Sequence, residues 1–121
     1  MNDALTLAAY SAITEAVNTA AAEMVGHRLP GVMWMWNCYG VGTEDGVTPE
    51  FIGMVDAEAG SRAEAALLVW ADAVGMAEAT TAKERREGRT AYTGVLTGSR
   101  IRLTANITRA AGDPGALIAI A

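Results

Sequence analysis

The sequence predicts an α+β domain in which two helices pack on an antiparallel sheet of four to five strands, in the order α-β-β-α-β-β with a candidate fifth strand after them. Three observations carry this. Residues 90–107 alternate apolar and polar on both arms of a hairpin, two stretches repeat apolar residues at three-and-four spacing, and residues 32–41 are apolar at nearly every position. At 121 residues the chain fits one domain, 1–121, large enough to bury a core without staples.

Taken in order, Asn2 or Asp3 can cap a first helix that runs to about Val25. Leu5, Ala9, Ala12, Ile13, Ala16, Ala20 and Met24 form its expected apolar stripe, with Gly26 as C-cap and Pro30 preventing resumption. The next run, VMWMWNCYGV, reads as a strand with Val32, Trp34, Trp36 and Cys38 on one side and Met33, Met35, Asn37 and Tyr39 on the other. A strand apolar on both faces is normally covered on both. Two helices cover one, so the other face is either wrapped within the chain or joins a second subunit, and tryptophan and methionine favour the latter. Gly40, Gly42 and Gly46 around Glu44-Asp45 lead into a second short strand, 51–55. That context makes a hairpin with an acidic tip, because a dinucleotide loop must open a helix.

Ser61 stands three residues before Glu64, the capping-box spacing, and Leu67, Leu68, Trp70, Ala71 and Val74 follow up to Gly75. The second helix is expected over Ser61–Val74. The alternative, continuation to about Arg86, requires a mid-helix glycine that costs only about 1 kcal/mol. Residues 80–87 are polar and read as a solvated connector. The hairpin of 90–107 is expected to close at Gly98-Ser99 in a type II′ turn, with Leu96 facing Ile101, Gly94 facing Leu103 and Tyr92 facing Ala105 on its apolar side. Residues 108–115 read as a loop. The last six, ALIAIA, are apolar enough to add a strand or to dock on another chain.

Net charge is −5, but it is unevenly placed. Residues 1–82 hold eleven acids against two bases, and residues 83–121 hold seven bases against three acids. Acidic and basic surfaces of this kind pair within a fold or between subunits, or the basic one takes an anion. Arg89, Arg100, Arg102 and Arg109 are the candidate anion-binding residues. A two-stranded ribbon bearing arginines suits a nucleic-acid groove, whereas the acidic total and the lack of exposed aromatics on that face do not.

Catalytic chemistry has little to draw on. The chain has one His, one Cys and one Lys. A thiol dyad would need His27 with Cys38, which lies in the most apolar strand, where thiols are usually inert. Ser11, Ser61 and Ser99 lack a nucleophile-elbow context, and one His with one Cys cannot furnish a zinc site within a monomer. Carboxylate pairs such as Asp56 with Glu58, or Glu44 with Asp45, are defined by spacing alone. No cofactor is expected. The start of the chain lacks the basic residues of a signal peptide and its alanine-rich run is broken by polar residues, so neither leader nor membrane span is expected, and the location expected is cytoplasmic or within a phage particle.

The segment LLVWADAVG at 67–75, the threonine-rich hairpin after it, and the excess of arginine over lysine resemble short proteins of actinobacteria, their phages and integrative elements. The resemblance implies an accessory role on a mobile element and transfers no site residue. The expected function is therefore that of a small non-enzymatic interaction protein, an inhibitor or adaptor that also self-associates. Its candidate interface comprises Met33, Trp34, Met35, Trp36, Tyr39, Leu117, Ile118 and Ile120. The alternatives are a structural subunit of a phage particle and a nucleic-acid binder using the arginine face of 90–107.

Overall fold

The computed structural model describes residues 4–43 and 46–107, and within 38–48 no side chains. In chain order it comprises α1 (Ala4–Val25), β1 (Val32–Thr43), β2 (Gly46–Val55), α2 (Ser61–Val74), β3 (Ala77–Glu78), α3 (Ala82–Arg86), β4 (Arg89–Leu96) and β5 (Ser99–Asn106). The strands form one sheet in the order β1-β2-β5-β4-β3. The α+β class is as expected, with α1, α2, β4 and β5 where the sequence places them and β1 and β2 longer than expected, β2 beginning at Gly46 and not at Phe51. Two short elements, β3 and α3, are additions, and the β2–β5 pair is parallel while its neighbours are antiparallel. The expected terminal strand lies outside the described residues.

The core sits between the sheet and the two long helices. Val32 and Trp34 of β1, Val55 of β2, and Ile101, Leu103 and Ala105 of β5 share the helix-covered face and are buried against Leu67, Trp70 and Ala71 of α2 and Val17 and Ala21 of α1. Trp34 and Trp70 meet edge to face, ring centroids 5.6 Å apart. Each indole N–H has a partner, as a buried tryptophan requires: Trp70 donates to the Pro30 carbonyl at 2.7 Å and Trp34 to Asn18 Oδ1 at 2.8 Å. Gly53, directly opposite Trp34 across the β1–β2 ladder, makes room for that ring, since a Cβ there would lie 2.6 Å from it.

Four local expectations are corrected. The hairpin turns at Thr97-Gly98, both with positive φ (46° and 88°), so the turn is of the I′ kind and not II′ at Gly98-Ser99. The pairing slides by two residues, with Leu96 opposite Ser99 and Tyr92 opposite Leu103, and a slide by two leaves every side chain on its expected face. Ser61 does not cap α2. Gly60 is the N-cap, and its carbonyl accepts from the Glu64 N–H at 3.0 Å. The reciprocal capping box occurs twenty residues on, where Thr81 Oγ1 accepts from the Glu84 N–H and the Glu84 carboxylate from the Thr81 N–H, turning part of the expected connector into α3. Finally, α1 buries Val17 and Ala21, which the predicted stripe lacks; of that stripe Ile13 and Ala20 pack partly buried against the core, while Leu5, Ala9, Ala12, Ala16 and Met24 are exposed. Gly75, in the left-handed conformation, does stop α2, and Met76 folds back into the core.

Candidate interaction surface

A sheet has two faces and two edges, and each needs a partner or water. The β1 edge is partnered by side chains of α1. Trp34 N–H donates to Thr14 Oγ1 at 3.0 Å, Thr14 Oγ1 reaches the Trp34 carbonyl at 3.5 Å, and Asn18 Nδ2 donates to the Val32 carbonyl at 2.9 Å. The spacing works because four residues of helix rise about 6 Å while two residues of strand rise about 6.6 Å, so positions 14 and 18 keep step with 34 and 32. Thr14 and Asn18 thus stand in for a sixth strand. Sequence reasoning treats them only as polar interruptions of an apolar helix, although their i, i+4 spacing is a legible signal.

The face of the sheet away from α1 and α2 divides in two. Over the middle of β4 and β5 it is covered by the residue 79–86 segment, while Val95 near the turn is 59% exposed. The Arg102 guanidinium donates to the Ala79 carbonyl at 3.2 Å and is closely paired with the Glu84 carboxylate, while the Ala91 N–H donates to Thr80 Oγ1 at 3.0 Å. Ala91 and Thr104 are buried beneath. Burial alone would raise the Glu84 pKa, but the Thr81 N–H, the Arg102 charge and the Thr81 hydroxyl outweigh it and hold the carboxyl below its ordinary value.

Over β1 and β2 the same face is open. Met33 is 64% exposed, Met35 53% and Met54 44%. Met33 lies opposite Met54, and Met35 opposite Ile52, so the four make one contiguous patch. At one end of it Glu50 is buried, next to Asn37 and Arg100 in the register, and its Oε2 has no hydrogen-bond partner among the described residues.

The candidate interface residues therefore separate. Met33 and Met35 are on the open face. Trp34 is not available: at 1% exposure it is a core residue, because its side of β1 is the side that α1 and α2 cover. Trp36 points to that same side but beyond the helices' reach, half-exposed against Phe51 with centroids 4.5 Å apart. The side chain of Tyr39, and residues Leu117, Ile118 and Ile120, lie outside what is described. The candidate anion-binding arginines do not converge. Arg102 is neutralised by Glu84, and Arg89 pairs with Glu87 at 3.1 Å. Arg89 and Arg100 lie opposite Asn106 and Val95, six positions apart on the ribbon, about 20 Å at the rise of a strand. Arg100 has no ion pair among the described residues, and Arg109 lies outside them.

A shallow depression of about 770 Å³ at the end of α1 is lined by Glu15, Asn18, Glu23, His27 and Arg28. His27, Glu15 and Glu23 are all exposed, and Nδ1 of His27 lies 3.1 Å from the Arg28 carbonyl. Among the described residues no three His, Cys, Asp or Glu side chains are grouped to hold a metal ion, and no helix is long and apolar enough to cross a membrane. No protein-family model, curated protein or solved structure matches this chain.

Proposed function

We propose that this chain is a non-enzymatic interaction protein that self-associates through the open face of its β1–β2 hairpin, with Met33, Met35 and Met54 as contact residues. The observation that carries the reading is that contiguous apolar patch on a sheet whose other face is layered by helices everywhere but at Trp36. Apolar patches of this kind mark interaction sites, and methionine adapts its shape to what it meets. An additional partner, in keeping with the mobile-element resemblance, would be a host or phage protein for which this chain acts as inhibitor, adaptor or particle subunit. The nucleic-acid reading has less support, because Arg102 and Arg89 already have acidic partners within the chain.

Size-exclusion chromatography with light scattering tests the reading. The wild-type chain is expected to elute as an oligomer and Met33→Glu with Met35→Glu as a monomer of unchanged circular dichroism. A wild-type chain that stays monomeric at every concentration, and whose binding partners are indifferent to the double substitution, would overturn it.

A further inference from the structure

Self-association through the open face leaves undecided what the other copy presents to it. Two features of the patch define a complementary shape. It is two strands wide, about 10 Å, which is the diameter of one helix with its side chains. On its β5 side it is bordered by a charged step. Beyond Ile52 the register passes to Arg102, which is pinned beneath α3, so α3 stands as a step beside the methionine floor. The exposed charged side chains within α3 are cationic, with the exposed Glu87 at its C-cap paired to Arg89: Lys83 and Arg86 have no ion pair among the described residues, and Arg85 reaches Glu78 only at 4.0 Å.

The chain itself carries a matching helix. On the outer side of α2, Leu68 is 46% and Val69 44% exposed, with Glu64 and Asp72 exposed one turn before and after Leu68. Neither acid has an ion pair among the described residues. An apolar ridge with an acid at each end suits a helix-wide apolar floor beside a cationic step. Resting on the self-association reading, we infer that the outer face of α2 in one copy docks on the β1–β2 floor of the next, Leu68 and Val69 on the methionines and Glu64 and Asp72 beside Lys83 and Arg86. The alternative, floor against floor across a two-fold axis, would bring the unpaired cations of two α3 helices toward each other when the axis runs across the strands, and along the strands it would leave Glu64 and Asp72 without a cationic partner. Docking α2 on the floor also completes a three-layer α/β/α stack, the usual way a sheet with an apolar second face is covered. Because the contact joins two different surfaces it is heterologous and propagates from copy to copy, as an open chain or a closed ring.

Complementation of two half-dead variants tests this. Met33→Glu with Met35→Glu removes the floor, and Leu68→Arg removes the helix by setting a cation against the step. All three side chains are exposed, and thermal melts unchanged at dilutions where every chain is monomeric check the fold. Alone, each variant is expected to be monomeric in sedimentation velocity. Mixed in equal amounts they are expected to give a dimer that grows no further, since one intact floor and one intact helix remain. Lys83→Glu with Arg86→Glu in a Glu64→Lys, Asp72→Lys background is expected to restore the assembly that either charge reversal alone weakens at least tenfold. If the floor variant is monomeric while Leu68→Arg assembles like wild type, and the mixture gives no capped dimer, the docking is wrong and the self-association reading survives. If the wild type is itself monomeric, both fall.

Discussion

Gly53 and Trp34 show how tightly one residue can be bound to another's identity. The indole covers the glycine so closely that an added methyl must displace it, and the ring is held on its other sides by Trp70 and by Asn18. Gly53→Ala is expected to lower stability by about 1–3 kcal/mol, as overpacking does, and to change the near-UV circular dichroism of the indoles; a urea titration measures the first. Asn18 holds both the indole N–H and a strand carbonyl, so Asn18→Leu leaves two polar groups unpaired. About 1–3 kcal/mol of destabilisation is expected there too, whereas Ser11→Leu on the exposed side of the same helix should be near neutral in the same titration. Neither dependence is legible in the sequence, because nothing local to position 18 or 53 announces the tryptophan that folds over it.

Among the elements, those that the sequence makes legible are set by neighbours in the chain. Alternation fixes the faces of β4 and β5 even though the turn lies one residue earlier than expected, since threonine seldom adopts the positive φ that Thr97 takes and a turn beginning at the glycine avoids it. The Ser-x-x-Glu and Thr-x-x-Glu patterns look alike, yet only the second forms the capping box, because Glu84 is also drawn to Arg102, a partner eighteen positions away. That pairing makes α3 sensitive to acid. With its pKa depressed in the folded chain, Glu84 contributes stability fully above the unfolded carboxylate value and loses that contribution as pH falls through the folded one. Glu84→Gln is therefore expected to melt below wild type at neutral pH and to converge with it at pH values below both. A gap that persists unchanged into acid would show that the carboxylate charge is not what holds α3 down.

Across the whole molecule, surplus apolar surface was legible in composition and its address was not. The run at 32–41 promised two apolar faces on one strand, and the structure divides them between a core face and an open one, removing Trp34 from the interface and leaving Met33 and Met35 in it. The basic half of the sequence likewise promised a cationic face, but folding spends Arg102 and Arg89 on internal acids. What remains is a sheet layered on one side, whose Met33→Glu, Met35→Glu variant should melt within a few degrees of wild type when both are diluted to monomer, because a substitution at an exposed site away from caps and networks changes stability by roughly 0.5 kcal/mol or less, and below it at concentrations where only the wild type assembles.

The parallel pairing of residues 50–54 with 100–104 also governs how the chain arrives at this state. Each hairpin can zip over a short turn in microseconds, but joining the two ribbons closes a loop about fifty residues long, a non-local step of the sort that slows folding. During translation the β1–β2 ribbon is therefore made well before the strand that will lie beside it. That interval, with a raw ribbon margin and tryptophan still in water, is when the nascent chain is most prone to aggregate and has most need of a chaperone.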